Sequence, residues 1–177
     1  MNKYLCIGID PGYKSSPTGI ALVSNGKLLD SFSRHLAGEY PGQRIRAFRD
    51  LVESLIRDVR KGVYGPDRIG LLVWEEPHLK MMRKGKKTIP FISAFRALSY
   101  LEAVLYLVCE DLLIPYIPVN NMTIKKALCD SGGVKKSGMT AAAERLSNKT
   151  FESQDEADAA LCAFYAERIF ENRAAHE

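Results

Sequence analysis

The sequence predicts an α/β fold: a five-stranded mixed sheet, three antiparallel strands and then two parallel ones, flanked by helices. Three observations lead there. The chain opens with three strand-like runs joined by turn residues. Between Pro41 and Lys61 the apolar residues switch to spacings of three and four. Beyond that point short apolar runs alternate with helical stretches, which requires crossover connections and parallel pairing.

Lys3 to Asp10 reads as a buried strand stopped by Asp10-Pro11-Gly12. Thr18 to Ser24 is a second strand, and Asn25-Gly26 is a two-residue hairpin signal because both turn positions favour positive φ. Lys27 to Arg34 returns as the third. Ile45, Phe48, Leu51, Val52, Leu55, Ile56 and Val59 then mark one face of a helix, ended by Gly62 and Gly65-Pro66. Ile69 to Glu75 is a short apolar strand followed by a basic loop. A long helical stretch runs from about Ile92 to Leu113, and Leu112 to Val119 holds a strand interrupted by Pro115 and Pro118. Helices follow over Thr123 to Cys129, Ser137 to Leu146 and Ser153 to about Phe170, with a Gly132-Gly133 loop after the first. No linker or repeat divides the chain, and a single domain over residues 1–177 is expected.

With 46% hydrophobic and 26% charged residues among 177, the composition is that of a globular chain, not of a disordered or collagen-like one. No apolar run is expected to approach the roughly 20 residues of a membrane span, and no leader peptide is expected at the N-terminus. Cys6, Cys109, Cys129 and Cys162 stand singly, without C-x-x-C spacing, which argues against zinc and disulfide frameworks. A reducing cytoplasm, bacterial or of a phage-infected host, fits.

Two carboxylates close apolar strands: Asp10 and Glu75. Each alone reads as a turn or strand-end residue. The last helix adds two more. Ser153-x-x-Glu156 matches a capping box that places the helix start. Asp155 and Asp158 then share one face, which continues through Cys162, Tyr165 and Ile169 and so points inward, whereas Glu156, Glu167 and Glu171 are expected on the wet side. One acidic residue is explained by the helix N-terminus; two facing the sheet are not. Four carboxylates at one sheet edge repel each other, and a hard divalent cation removes that penalty. Oxygen-only ligands suit Mg²⁺, with Mn²⁺ able to substitute, and two such ions can drive phosphodiester cleavage.

Basic residues surround these positions. Lys80, Arg83, Lys84, Lys86 and Lys87 follow the Glu75 strand, and Lys125-Lys126 and Lys135-Lys136 flank the glycine loop. Leaving out the four carboxylates, 25 basic residues face 17 of the 21 acidic ones. A basic scaffold around an acidic pocket suits an enzyme acting on a polyanion. His78 reads either as a plain loop residue or as one able to stack on a base or assist proton transfer, and Tyr13 and Lys14 either as solvated loop residues or as contacts to a substrate backbone. His35 and His176 are expected at the surface.

Ile7-Gly8-Ile9-Asp10-Pro11-Gly12 with Thr18-Gly19, then Val73-Trp74-Glu75, the Lys125 and Lys136 region, and Asp155-x-x-Asp158-Ala159 occur in an order that resembles the RuvC family of Holliday-junction resolvases, within the ribonuclease-H-like superfamily. The resemblance implies a ribonuclease-H-like fold and a homodimeric two-metal nuclease. Such an enzyme nicks a four-way DNA junction symmetrically and leaves 5′-phosphates. By motif, Asp10, Glu75, Asp155 and Asp158 would hold two Mg²⁺ ions, and Lys125 and Lys136 would contact DNA. The helix around Ser93 to Leu113 is similar to the one that helps form the family's dimer; it reads equally well as core. Two departures stand out: an insertion around Ser15-Ser16-Pro17, and Glu76-Pro77-His78-Leu79 where the family often carries an aromatic wedge.

Three other readings share part of the signal. Actin-like kinases also open with a strand, an Asp and a phosphate-holding hairpin, but they need a second, duplicated domain. A general ribonuclease-H-like nuclease on RNA or flapped DNA is barely distinguishable in sequence. A non-catalytic DNA-binding module would leave the acidic face merely structural.

Overall fold

The computed structural model describes residues 4–78, 81–84, 87–90, 92–129 and 131–174. Strands β1 (Tyr4–Asp10), β2 (Thr18–Ser24) and β3 (Lys27–Arg34) form the antiparallel meander, followed by helix α1 (Pro41–Arg60) and strand β4 (Arg68–Glu75). A hairpin of β5 (Met81–Lys84) and β6 (Lys87–Pro90) precedes α2 (Ile92–Asp111), β7 (Tyr116–Val119), α3 (Asn121–Leu128), α4 (Lys136–Ser147) and α5 (Gln154–Ala174). The main sheet has the order β3-β2-β1-β4-β7, with β4 parallel to β1 and β7 parallel to β4. This is the expected mixed sheet. The basic stretch after Glu75, expected as a loop, is instead a two-stranded antiparallel ribbon outside that sheet.

Alternation along the strands sorts two cores. Leu5, Ile7, Ile9, Ile20, Leu22, Leu72 and Trp74 face α1 and α2, whose Phe48, Val52, Leu101 and Leu105 complete one cluster. Cys6, Ala21, Val23, Leu71 and Val73 face the other way, toward α3, α4 and α5. Both faces are covered, so β1 and β2 read as nearly continuous apolar runs. The Asn25-Gly26 turn has φ of 52° and 71°, the mirror-image turn that matches strand twist. β7 is an edge strand, the place where a sheet tolerates Pro118.

The close approach of α5 depends on two glycines. A Cβ on Gly8 would lie 2.1 Å from the Ala159 carbonyl oxygen, and one on Gly19 would lie 1.9 Å from that of Asp155. The small residues Ala159, Ala160 and Ala163 meet the sheet there, fully buried. Backbone packed on backbone brings the start of α5 over the ends of β1 and β2.

Two expectations need correction. Glu156 and Glu167 are buried, only 4% and 5% exposed. Glu156 accepts Ser31 Oγ at 2.6 Å and Lys149 Nζ at 3.0 Å, and Glu167 accepts Gly26 N with both oxygens at 3.0 Å. Partners from distant elements meet the cost of burial, which helical spacing cannot reveal. Likewise α2 is, by length and composition, apolar enough to cross a membrane, contrary to the expectation for this chain. One face of it enters the core through Ala97, Leu101, Val104, Leu105 and Val108, while Ile92, Tyr100 and Leu107 are about half exposed or more, at 52%, 49% and 63%.

Candidate active site

Asp10 ends β1 and Glu75 ends β4. The parallel register Ile9↔Trp74 brings these two residues level, and both share the parity of the side chains that face α5. The ladder continues past them, since Glu76 N donates to Val119 O at 3.0 Å. On the opposing helix Ser153 Oγ accepts Glu156 N at 3.1 Å and fixes the first turn. Asp155 and Asp158 follow within that turn. The capping box is half formed, because the Glu156 carboxylate is committed to Ser31 and Lys149.

The four carboxylates feel one another. Burial pushes the Asp10 carboxyl well above its ordinary range, and the negative charges of Glu75, Asp158 and Asp155 push it further, with Lys136 opposing. Asp158, 8% exposed, is raised to about 6, first by burial and then by Glu75 and Asp155; Gln154 and Lys136 hold it down. Cys162, one turn below, has its thiol driven up by burial and then by Asp10, Glu75 and Asp158. Asp10 and Asp158, raised by burial and pushed up further by acidic neighbours, mark a notch whose all-oxygen donor set suits Mg²⁺ or Mn²⁺. Among the described residues no three such side chains converge as ready ligands. Glu75 Oε2 instead accepts Asn121 Nδ2 at 2.5 Å, and Asp158 Oδ1 accepts Gln154 Nε2 at 2.9 Å.

A groove of about 1130 Å³ opens from the notch. Lys14, His78, Lys125 and Lys136 line it together with all four carboxylates. His78 Nε2 is buried and among the described residues has no hydrogen-bond partner. Lys135 is the exposed N-cap residue of α4 and does not line the groove. Arg83 and Lys84 stand on β5 and Lys87 on β6, whereas Lys80, Lys86 and His176 lie outside the described residues.

Sequence reasoning missed several groove residues. Arg44 lines the far wall with its guanidinium 5.6 Å from the Tyr13 ring centroid, a cation held on an aromatic face. It was visible only as a charge off the apolar stripe of α1. Asn121 in the groove, and Gln154, which contacts Asp158 without lining it, were hidden as ordinary helix-start residues, though Asn120-Asn121 is a capping signal.

No family model matches the sequence, and no curated protein matches it. Among solved structures, RuvC from Thermus thermophilus aligns over 97% of this chain and 96% of its own, at 15% identity and a TM-score of 0.68. The same organism's RuvC in complex with a Holliday junction substrate aligns over the same shares at 16% identity, with a TM-score of 0.71. The fold is that of RuvC. The RuvC likeness expected from scattered motifs therefore holds for the whole ribonuclease-H-like architecture, carried by topology at an identity too low to carry it by sequence.

Proposed function

We propose that this protein is a structure-selective DNA endonuclease, one nuclease domain over residues 1–177, that resolves four-way junctions by paired symmetric nicks and leaves 5′-phosphates. The observation that carries the reading is the meeting of Asp10, Glu75, Asp155 and Asp158 in a lysine-lined groove at one end of a RuvC-type sheet. Asp10, Glu75, Asp155 and Asp158 would hold two Mg²⁺ ions, with Mn²⁺ able to substitute. When bound, such ions activate a water and stabilise the leaving oxygen of an in-line displacement. The protein's own part is to hold the strand. Lys125 and Lys136 grip phosphates beside the notch, Lys14 and Arg44 do so elsewhere along the groove, and the His78 ring lines it. Arg83, Lys84 and Lys87, which follow His78 in the chain on the β5–β6 ribbon, would add further phosphate contacts.

Junction resolution needs two sites at a fixed distance, and the half-exposed apolar stripe of Ile92, Tyr100 and Leu107 on α2 supports a homodimer through that helix. The Thermus RuvC captured on a Holliday junction supports branched DNA as the substrate.

The test offers a synthetic four-way junction, a linear duplex and an RNA–DNA hybrid side by side, with and without Mg²⁺. Paired nicks on the junction alone, lost in Asp10→Asn while junction binding is kept or tightened, are the expected result. Preferential cutting of the hybrid would move the protein to a general ribonuclease-H-like activity. Equal turnover by wild type and Asp10→Asn would remove the site assignment.

A further inference from the structure

We propose that Asn121 and Gln154 are positioning residues for the carboxylate notch, each orienting one carboxylate and tying it to a lysine-bearing helix. The inference rests on the nuclease reading above. Asn121 Nδ2 donates to Glu75 Oε2 at 2.5 Å. Gln154 Nε2 donates to Asp158 Oδ1 at 2.9 Å, and Gln154 Oε1 in turn accepts Thr140 Oγ1 at 3.0 Å from α4. An ionised carboxylate only accepts, so the Gln154 NH₂ faces Asp158 and the amide oxygen turns to the Thr140 hydroxyl.

The chemistry of the two donors is the argument. A carboxylate has about four lone-pair sites, and an amide N–H occupies one of them. The amide is neutral, so it sets the carboxylate's direction and leaves its negative charge unspent. A lysine or arginine in that place would satisfy the carboxylate and compete with a divalent cation. The chain keeps its cations one turn away instead. Asn121 and Lys125 are four residues apart on α3, and Lys136 and Thr140 are four apart on α4. Each helix therefore carries, on one face, a groove lysine and a link to a carboxylate. The helices that would meet the phosphate backbone are the helices that hold Glu75 and Asp158.

Mn²⁺ binding without nucleic acid, followed by the electron paramagnetic resonance signal of the free ion, separates positioning from activity. Partners behind metal ligands are worth about 10- to 100-fold in metal affinity. Asn121→Ala and Gln154→Ala are expected to weaken Mn²⁺ binding within that range while their circular dichroism spectra stay native. Thr140→Val, which keeps the shape and removes the hydroxyl, is expected to weaken it several-fold, and Thr140→Ser to restore wild-type affinity. Affinities within twofold of wild type for both alanine variants would overturn the positioning role and leave the nuclease reading standing. Should an alanine variant fail to fold, the Thr140 pair decides: valine binding Mn²⁺ as tightly as serine overturns the inference. A wild-type protein that binds no Mn²⁺ overturns the nuclease reading, and this inference with it.

Discussion

Replacing Asp158 by asparagine removes one negative charge from the notch and keeps an oxygen for Gln154 to donate to. In the folded protein Asp158 titrates at about 6, against about 3.9 in an unfolded chain. The folded state therefore binds more protons than the unfolded state between those values, and stability falls as pH rises through the window from about 4 to about 6. A gap of about two pH units corresponds to roughly 3 kcal/mol at pH 7 and to less than about 1 kcal/mol at pH 4. Asparagine escapes this penalty. For a chain of this length 1 kcal/mol moves the melting temperature by roughly 2–4 °C, so Asp158→Asn should melt roughly 5–10 °C above wild type at pH 7 in the presence of a chelator. The assay is a thermal melt of both proteins at several pH values from 4 to 7.5, repeated with saturating Mg²⁺. The difference should shrink toward pH 4, and it should also narrow with Mg²⁺, which would stabilise wild type by binding its native state. An asparagine variant no more stable than wild type at pH 7, or an advantage that ignores pH, would refute the reasoning that burial, with the neighbouring carboxylates adding to it, penalises the Asp158 charge.

Three further outcomes are expected. Lys136→Ala should weaken junction binding and reduce the slope of log affinity against log salt by about 1, measured by fluorescence anisotropy across salt concentrations; an unchanged slope takes Lys136 out of the interface. Gly19→Ala would drive a methyl into the Asp155 carbonyl, and overpacking of this kind costs about 1–3 kcal/mol or more; a denaturant melt should show the loss, with Mn²⁺ affinity falling because the first turn of α5 is displaced. Leu107→Glu places a charge on the exposed stripe of α2 and should convert a dimer to a monomer in light scattering, while a wild-type monomer would contradict the proposed assembly.

The strands and the four acids were legible because both rest on local spacing. Alternation and turn residues define β1 to β3, and the three-residue step from Asp155 to Asp158 puts both on the face that carries Cys162. What escaped was non-local. Glu156 looks like a solvent residue until Ser31, 125 positions away, supplies its hydrogen bond. Asn121 and Gln154 gain meaning only from the carboxylates opposite them, and Arg44 only from the Tyr13 ring beneath it. The β5–β6 ribbon was hidden for another reason. Its lysine-rich run lacks the alternation by which a strand is recognised, and its only β-branched residues, Thr88 and Ile89, come at its end. The apolar length of α2 was obscured by Glu102, which lies within the helix and accepts the Trp74 indole N–H at 3.3 Å.

The most direct measurement is anomalous diffraction from crystals soaked in Mn²⁺. Two peaks enclosed by Asp10, Glu75, Asp155 and Asp158, both absent in Asp10→Asn, are predicted. Ordered manganese elsewhere on the protein with none in the notch would contradict the account.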